Sequence, residues 1–128
     1  MAVYVVDPYP YLSVGQTNPL AFQAYMTAAY EHAAQVENEI TALCAQGDPP
    51  VPVQLRRSQD MHASDGIIQA ASEEGADLIV MGSHGRTGIS RLMLGSITAK
   101  VIAHATVPVL VARADAGASL HGKAADSR

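Results

Sequence analysis

Cysteine is nearly missing from this chain. Cys44 is the only one in 128 residues, so a disulfide within the chain is excluded. That scarcity fits a reducing compartment, and the expected location is the cytoplasm. Long apolar runs are missing too: none approaches the roughly 18 residues that span a bilayer, so no membrane association is expected. The opening "MAVYVVDPYP" has no basic residue, and Asp7 interrupts its apolar run too early for a signal peptide. Aromatic-rich basic segments are absent and the formal net charge is -4, which argues against nucleic acid as a partner. Lysine occurs only at Lys100 and Lys123, neither in a G-x-x-x-x-G-K-[ST] setting, so a Walker loop is excluded.

What is present is an ordinary globular composition, 48% hydrophobic and 16% charged, in a length that suits one domain. The β-branched "AVYVVD" reads as a buried strand, and "PYPYLSVGQTNP" as a loop. From about Ala21 to Gln46 the pattern is helical, with Tyr25, Ala29, His32, Val36, Ile40 and Leu43 on one face. Gly47 is placed to stop that helix, and Pro49 and Pro50 prevent its continuation. "VPVQLRR" is the next strand candidate. A helix fits His62 to Glu74, with Ile67, Ile68 and Ala71 inward and Gly75 at its end. "ADLIVMG" is a continuous apolar run, as in a parallel strand covered on both faces. A third helix opens near Gly95 or Ser96 and carries Ile97, Val101 and Ile102; "ATVPVLVAR" is the last strand. Residues 114–128 are small, polar and aperiodic, and are expected to form a disordered tail. Strands alternating with single helices predict an α/β fold with an open parallel sheet and flanking helices.

Between the strand that ends at Met81 and the third helix lies "GSHGRTGISRLMLGS". Its spacing, Gly82-x-x-Gly85-x-x-Gly88, is not the G-x-G-x-x-G of dinucleotide folds. A helix opening at Gly95-Ser96 nevertheless presents unpaired N–H groups and the positive end of its dipole, and the Ser96 hydroxyl could cap the helix or donate to a phosphate oxygen. From Leu78 to Ala114 the chain has no acidic residue, while Arg86, Arg91, Lys100 and Arg113 are basic. Such a segment favours an anion. On spacing alone, a tight turn with an ordinary N-cap explains the glycines equally well.

The stretch "DLIVMGSHGRTGISRLMLGSITAKVIAHATVPVLVAR" resembles the C-terminal half of a universal stress protein. Nucleotide-binding members of that family carry G-x-x-G, nine residues, then G-[ST], and Gly82, Gly85, Gly95 and Ser96 reproduce that spacing. "VYVVDP" resembles the family's second strand, so the likeness covers residues 1–113. The resemblance implies a five-stranded parallel sheet in the order 3-2-1-4-5, with ATP across the carboxyl ends of the strands; ADP and AMP remain alternatives, each with Mg2+. It implies that Gly82, Gly85, Gly95, Ser96 and Ile97 meet phosphates and ribose, that Val5 lies against adenine, and that Met81 lines the nucleotide. Arg86 stands where the family often has a basic residue, and His84 belongs to the same loop. It also implies a homodimer formed through the last strand, by Val107, Val109 and Val111, and a role as a stress-response sensor or regulator with at most slow ATP hydrolysis. The alternative is a dimerisation or interaction module of the same family that binds no nucleotide.

The family's usual opening strand, of the type I-L-V-P-x-D-x-S, and the helix after it have no counterpart here, and a start further upstream is the expected explanation. Asp7 follows the second strand and does not replace the acidic residue of that missing strand. Elsewhere no catalytic constellation emerges. No metal is expected either: His32 and His62 lie on different helices and no H-x-x-x-H pair exists, so His32 reads as partly buried rather than as a ligand. Ser83 and His84 are neighbours and cannot form a nucleophile–base pair. Glu37 and Glu39 point to different sides of their helix, and Glu73-Glu74 is a solvated helix end. Cys44 reads as a small hydrophobe.

Overall fold

A computed structural model describes residues 1–8, 17–59, 61–83 and 94–113. Their elements run β1 (Ala2–Val6), α1 (Pro19–Ala45), β2 (Leu55–Gln59), α2 (Ala63–Glu73), β3 (Ile79–Gly82), α3 (Ser96–His104) and β4 (Val109–Ala112). The strands form two parallel pairs, β1 with β2 and β3 with β4. In chain order these are the pairs 3-2 and 4-5 of the expected sheet. The chain divides into two compact units, Met1–Ala70 and Ala71–Arg128.

In the first unit, β1 and β2 pair from Ala2↔Leu55 to Val6↔Gln59. Parallel strands need a long crossover, and α1 supplies it. Asn18 caps α1 by accepting from the Ala21 N–H at 3.1 Å, and Pro19 follows at a position where no N–H is needed. One stripe of α1 packs on β1, where Val6, Ala29 and Ala33 are buried with Tyr4, Met26 and Tyr30 around them. Tyr25, His32, Val36 and Ile40 are half-buried along that stripe. Leu43 is not: it is 68% exposed in the last turn of the helix.

Three features differ from the sequence expectation. First, α1 stops at Ala45 without a left-handed glycine, since Gln46 keeps a right-handed backbone (φ -80°). Glycine at 47 answers to space instead, because a Cβ there would stand 3.0 Å from the Pro49 carbonyl oxygen. Second, β2 begins at Leu55 rather than at Val51. The Val51 N–H turns back to the Cys44 carbonyl (3.0 Å), and Pro52 has no N–H to give. Third, β1 is half-buried, with only Val6 fully enclosed. The exposed side of β2 carries a polar network. Arg57 forms two bonds to Glu37 of α1 (3.0 and 2.6 Å) and lies over the Tyr30 ring, whose hydroxyl donates to Gln59 at 2.6 Å. The hydrogen bond to Glu37 raises the Arg57 pKa above its ordinary value, but the pair is open to water and contributes about 1 kcal/mol or less.

The end of α2 matches its sequence. Gly75 adopts φ +61°, the Gly75 N–H reaches the Ser72 carbonyl and the Ala76 N–H the Ala71 carbonyl, so a left-handed glycine closes the helix. The second unit differs from expectation in one respect. β3 is not covered on both faces: Ile79 is buried, but Val80 is 62% exposed, and its register partner Leu110 is 56% exposed. Successive side chains of a strand alternate sides, so this pair has one sheltered and one open face among the described residues.

Gly66 sits inside α2 where alanine would ordinarily add about 1 kcal/mol of helix stability. A Cβ there would lie 2.8 Å from both γ-methyls of Val5 and 3.2 Å from the Met61 sulfur. Overpacking outweighs propensity, and Gly66→Ala is expected to lower stability by about 1–3 kcal/mol in urea unfolding. A midpoint that rises would show that the β1–α2 contact is loose.

Candidate functional site

The junction of β3 and α3 is built from backbone groups. The β3–β4 ladder runs from the Ile79 N–H, bonded to the Pro108 carbonyl, to the Ser83 N–H, bonded to the Ala112 carbonyl, both at 2.9 Å. The Ser83 carbonyl then accepts from the Gly95 N–H at 2.8 Å. The Thr98 hydroxyl donates to the Gly82 carbonyl, also at 2.8 Å. Two consecutive carbonyls at the strand end are therefore held by the first turn of the helix. Gly82, Gly95, Ser96 and Ile97 meet at this one place.

Gly95 is the N-cap, with φ -60° and ψ 150° and no side-chain hydrogen bond. Any residue adopts those angles, so the position does not need glycine for its backbone freedom. Asparagine, aspartate or serine would cap the helix better. What glycine leaves is an uncapped first turn, in which the N–H groups of Ser96, Ile97 and Thr98 have no partner four residues back. Ser96 and Ile97 are exposed, Gly95 is half-buried and Thr98 is buried. Lys100, one turn further on, and Arg113, just after β4, are exposed cations. An uncapped helix start in a segment without carboxylates can accept an anion. No acid, base or nucleophile is assembled among these groups.

Of the other residues singled out by sequence, Met81 is half-buried and Gly82 exposed at the end of β3. His84, Gly85 and Arg86 lie outside the described residues, as do Arg91 and residues 114–128. Val5 is half-buried in the first unit, its γ-methyls against Gly66. Asp7 has a task of its own: its carboxylate accepts from the Ala63 N–H at 3.1 Å, capping α2, with His62 Nδ1 3.6 Å away. Its carbonyl accepts from the Tyr25 hydroxyl at 3.2 Å. Among the described residues no group of three or more His, Cys, Asp or Glu could hold a metal ion, and no helix is long and apolar enough to cross a membrane. Among the described residues, a shallow depression lined by Leu20, Ala24, Ala28 and Glu31 draws only on α1.

Sequence reasoning overlooked Thr98 and the backbone of Ser83. A signal existed for the first: Thr98 and Val101 are three apart, and this pair forms the buried stripe of α3, while Ile97 and Ile102 are exposed.

Comparison with known proteins matches residues 1–113 to the family model described as the universal stress protein family. Universal stress protein MJ0531 of Methanocaldococcus jannaschii is 30% identical over 112 residues, which are 88% of this chain and 63% of that protein. A universal stress protein of Thermus aquaticus is 39% identical over 92 residues, 72% of this chain and 64% of its own length. The chain thus spans less than two thirds of these relatives. Among solved structures, UspA of Lactobacillus plantarum superposes with a TM-score of 0.70 at 26% identity, over 88% of this chain and 75% of that one. The structure of MJ0577, also from M. jannaschii, gives 0.66 at 28% identity, over 87% and 72%.

The junction's hydrogen bonds predict an exchange pattern. The Gly95 and Ser83 amides should exchange more slowly than those of Ser96 and Ile97 by at least about tenfold in the ligand-free protein, as read by NMR. Equal rates across residues 95–97 would mean that the helix start is not pinned to the strand.

Proposed function

The chain belongs to the universal stress protein family, and on that premise we propose that it binds ATP at the β3–α3 junction as a stress-response sensor or regulator. The observation that carries this reading is the uncapped start of α3 at Gly95-Ser96, held to the end of β3 by the Gly95–Ser83 and Thr98–Gly82 bonds. Phosphate oxygens would take the N–H groups of the first turn and the Ser96 hydroxyl, with Lys100 and Arg113 adding favourable potential. ADP and AMP present the same chemistry with less charge, so ATP should be the tightest of the three. The segment from Leu78 to Ala114 has no carboxylate. Mg2+ would accordingly arrive with the nucleotide and be held by phosphate and water. Binding and a change of state are the proposed activity, in the cytoplasm, and hydrolysis is not.

We also propose a homodimer through the free edge of β4. Within a strand the N–H and C=O of one residue point to the same side. The Pro108 and Ala112 carbonyls face β3, so Val107, Val109 and Val111 present their backbone groups to the opposite edge. Pro108 therefore withholds its donor on the β3 side and leaves the outer edge its donors. Val107, Val109 and Val111 are apolar and half-buried, and a strand edge of this kind with its backbone groups turned outward pairs readily.

Calorimetry tests the first proposal. Gly95→Leu puts a side chain at the helix start and should lower ATP affinity by at least about tenfold, and Ser96→Ala by roughly fivefold. Affinity should also fall as salt rises. No heat with millimolar ATP would favour an interaction module that takes no nucleotide. Light scattering tests the second: Val109→Pro removes an outer-edge donor and should convert dimer to monomer, whereas a wild-type monomer would refute the interface.

A further inference from the structure

We propose that Thr98 is the positioning residue of the nucleotide site, the group that sets the start of α3 against the end of β3 for phosphate. The inference rests on the ATP-binding reading and adds a role that the glycine motif does not contain.

The hydroxyl of Thr98 is unusual for a helical threonine in this chain. Thr27 and Thr41 on α1 are exposed and bond back to carbonyls of their own helix, Gln23 at 3.0 Å and Glu37 at 2.8 Å. That is the ordinary local habit of a helical threonine. Thr98 is 2% exposed and crosses to another element, the Gly82 carbonyl. A buried hydroxyl is costly unless bonded, and valine would fill nearly the same space without that demand. Burial alone therefore does not select threonine here. The proton it donates does.

That proton acts in two ways. With the Gly95–Ser83 bond it makes a two-point clamp, the two contacts lying one residue apart on the strand and three apart on the helix. One bond would let the helix pivot; two fix the direction of its axis, and with it the direction of the first-turn N–H groups. The donor also engages one of the two lone pairs of the Gly82 carbonyl, which lowers that oxygen's repulsion toward an anion at the helix start. Site geometry that is set before the ligand arrives costs less on binding.

Thr98→Val removes the proton and keeps the shape, while Thr98→Ser keeps the proton and loses a methyl. ATP affinity by calorimetry should fall about tenfold in the valine variant and stay within about twofold in the serine variant. Thermal stability should run the other way, or stay level, because valine is the better core residue. A merely structural role would make affinity follow stability. In the ligand-free protein the Gly95 amide should exchange faster in Thr98→Val than in Thr98→Ser. If wild type binds ATP and the valine variant binds equally well, the positioning role is overturned and the nucleotide reading survives. If wild type binds no ATP, the nucleotide reading fails and takes this proposal with it.

Discussion

The peptide groups on either side of one residue hold the second unit together. Ser83 donates its N–H to the Ala112 carbonyl of β4, and its own carbonyl accepts from the N–H of Gly95 at the start of α3. Neither bond involves a side chain. The first extends the parallel ladder one step past the end of β3, and the second turns the chain's return into the beginning of a helix. Everything that makes the junction chemically interesting follows from this. Because the helix is pinned at its N-cap, Gly95, the N–H groups of its first turn have a defined place instead of a frayed end. Thr98 adds the second contact, and the buried pair Thr98 and Val101 supplies the packing that keeps α3 on its strands.

Much of this was legible in the residues, and what was not has physical reasons. The start of α3 at Gly95-Ser96 and the end of α2 at Gly75 could be read because glycine and serine at helix ends answer to local rules. The α1 stripe from Tyr25 to Ile40 could be read because burial repeats with the helical period. Boundaries set by tertiary partners were less visible. β2 begins at Leu55 because that is where its pairing with Ala2 starts, and the local sign of that boundary is Pro52, which has no N–H for a ladder. The open face at Val80 and Leu110 is likewise a property of what lies beside the pair, which an apolar run does not encode. At the junction, the sequence located the start of α3 at Gly95-Ser96, but the clamp there is backbone chemistry plus one threonine whose type suggests a surface position.

The first unit shows the same economy of local devices. Asp7 ends β1 and at once caps α2 through the Ala63 N–H, so one carboxylate joins a strand to the helix that follows β2. Val5 packs on Gly66 one turn further along the same helix. These two contacts fix the exit of β1 and explain why that helix carries a glycine in its interior.

On the proposed function, the first-turn amides of α3 receive phosphate. Its most direct test is a titration of the isotopically labelled protein with ATP, followed through its amide resonances. Ser96, Ile97 and Thr98 should show the largest shifts and saturate together, with AMP moving them less than ATP. Silence at those three amides with millimolar ATP, or shifts concentrated on α1 instead, would contradict it.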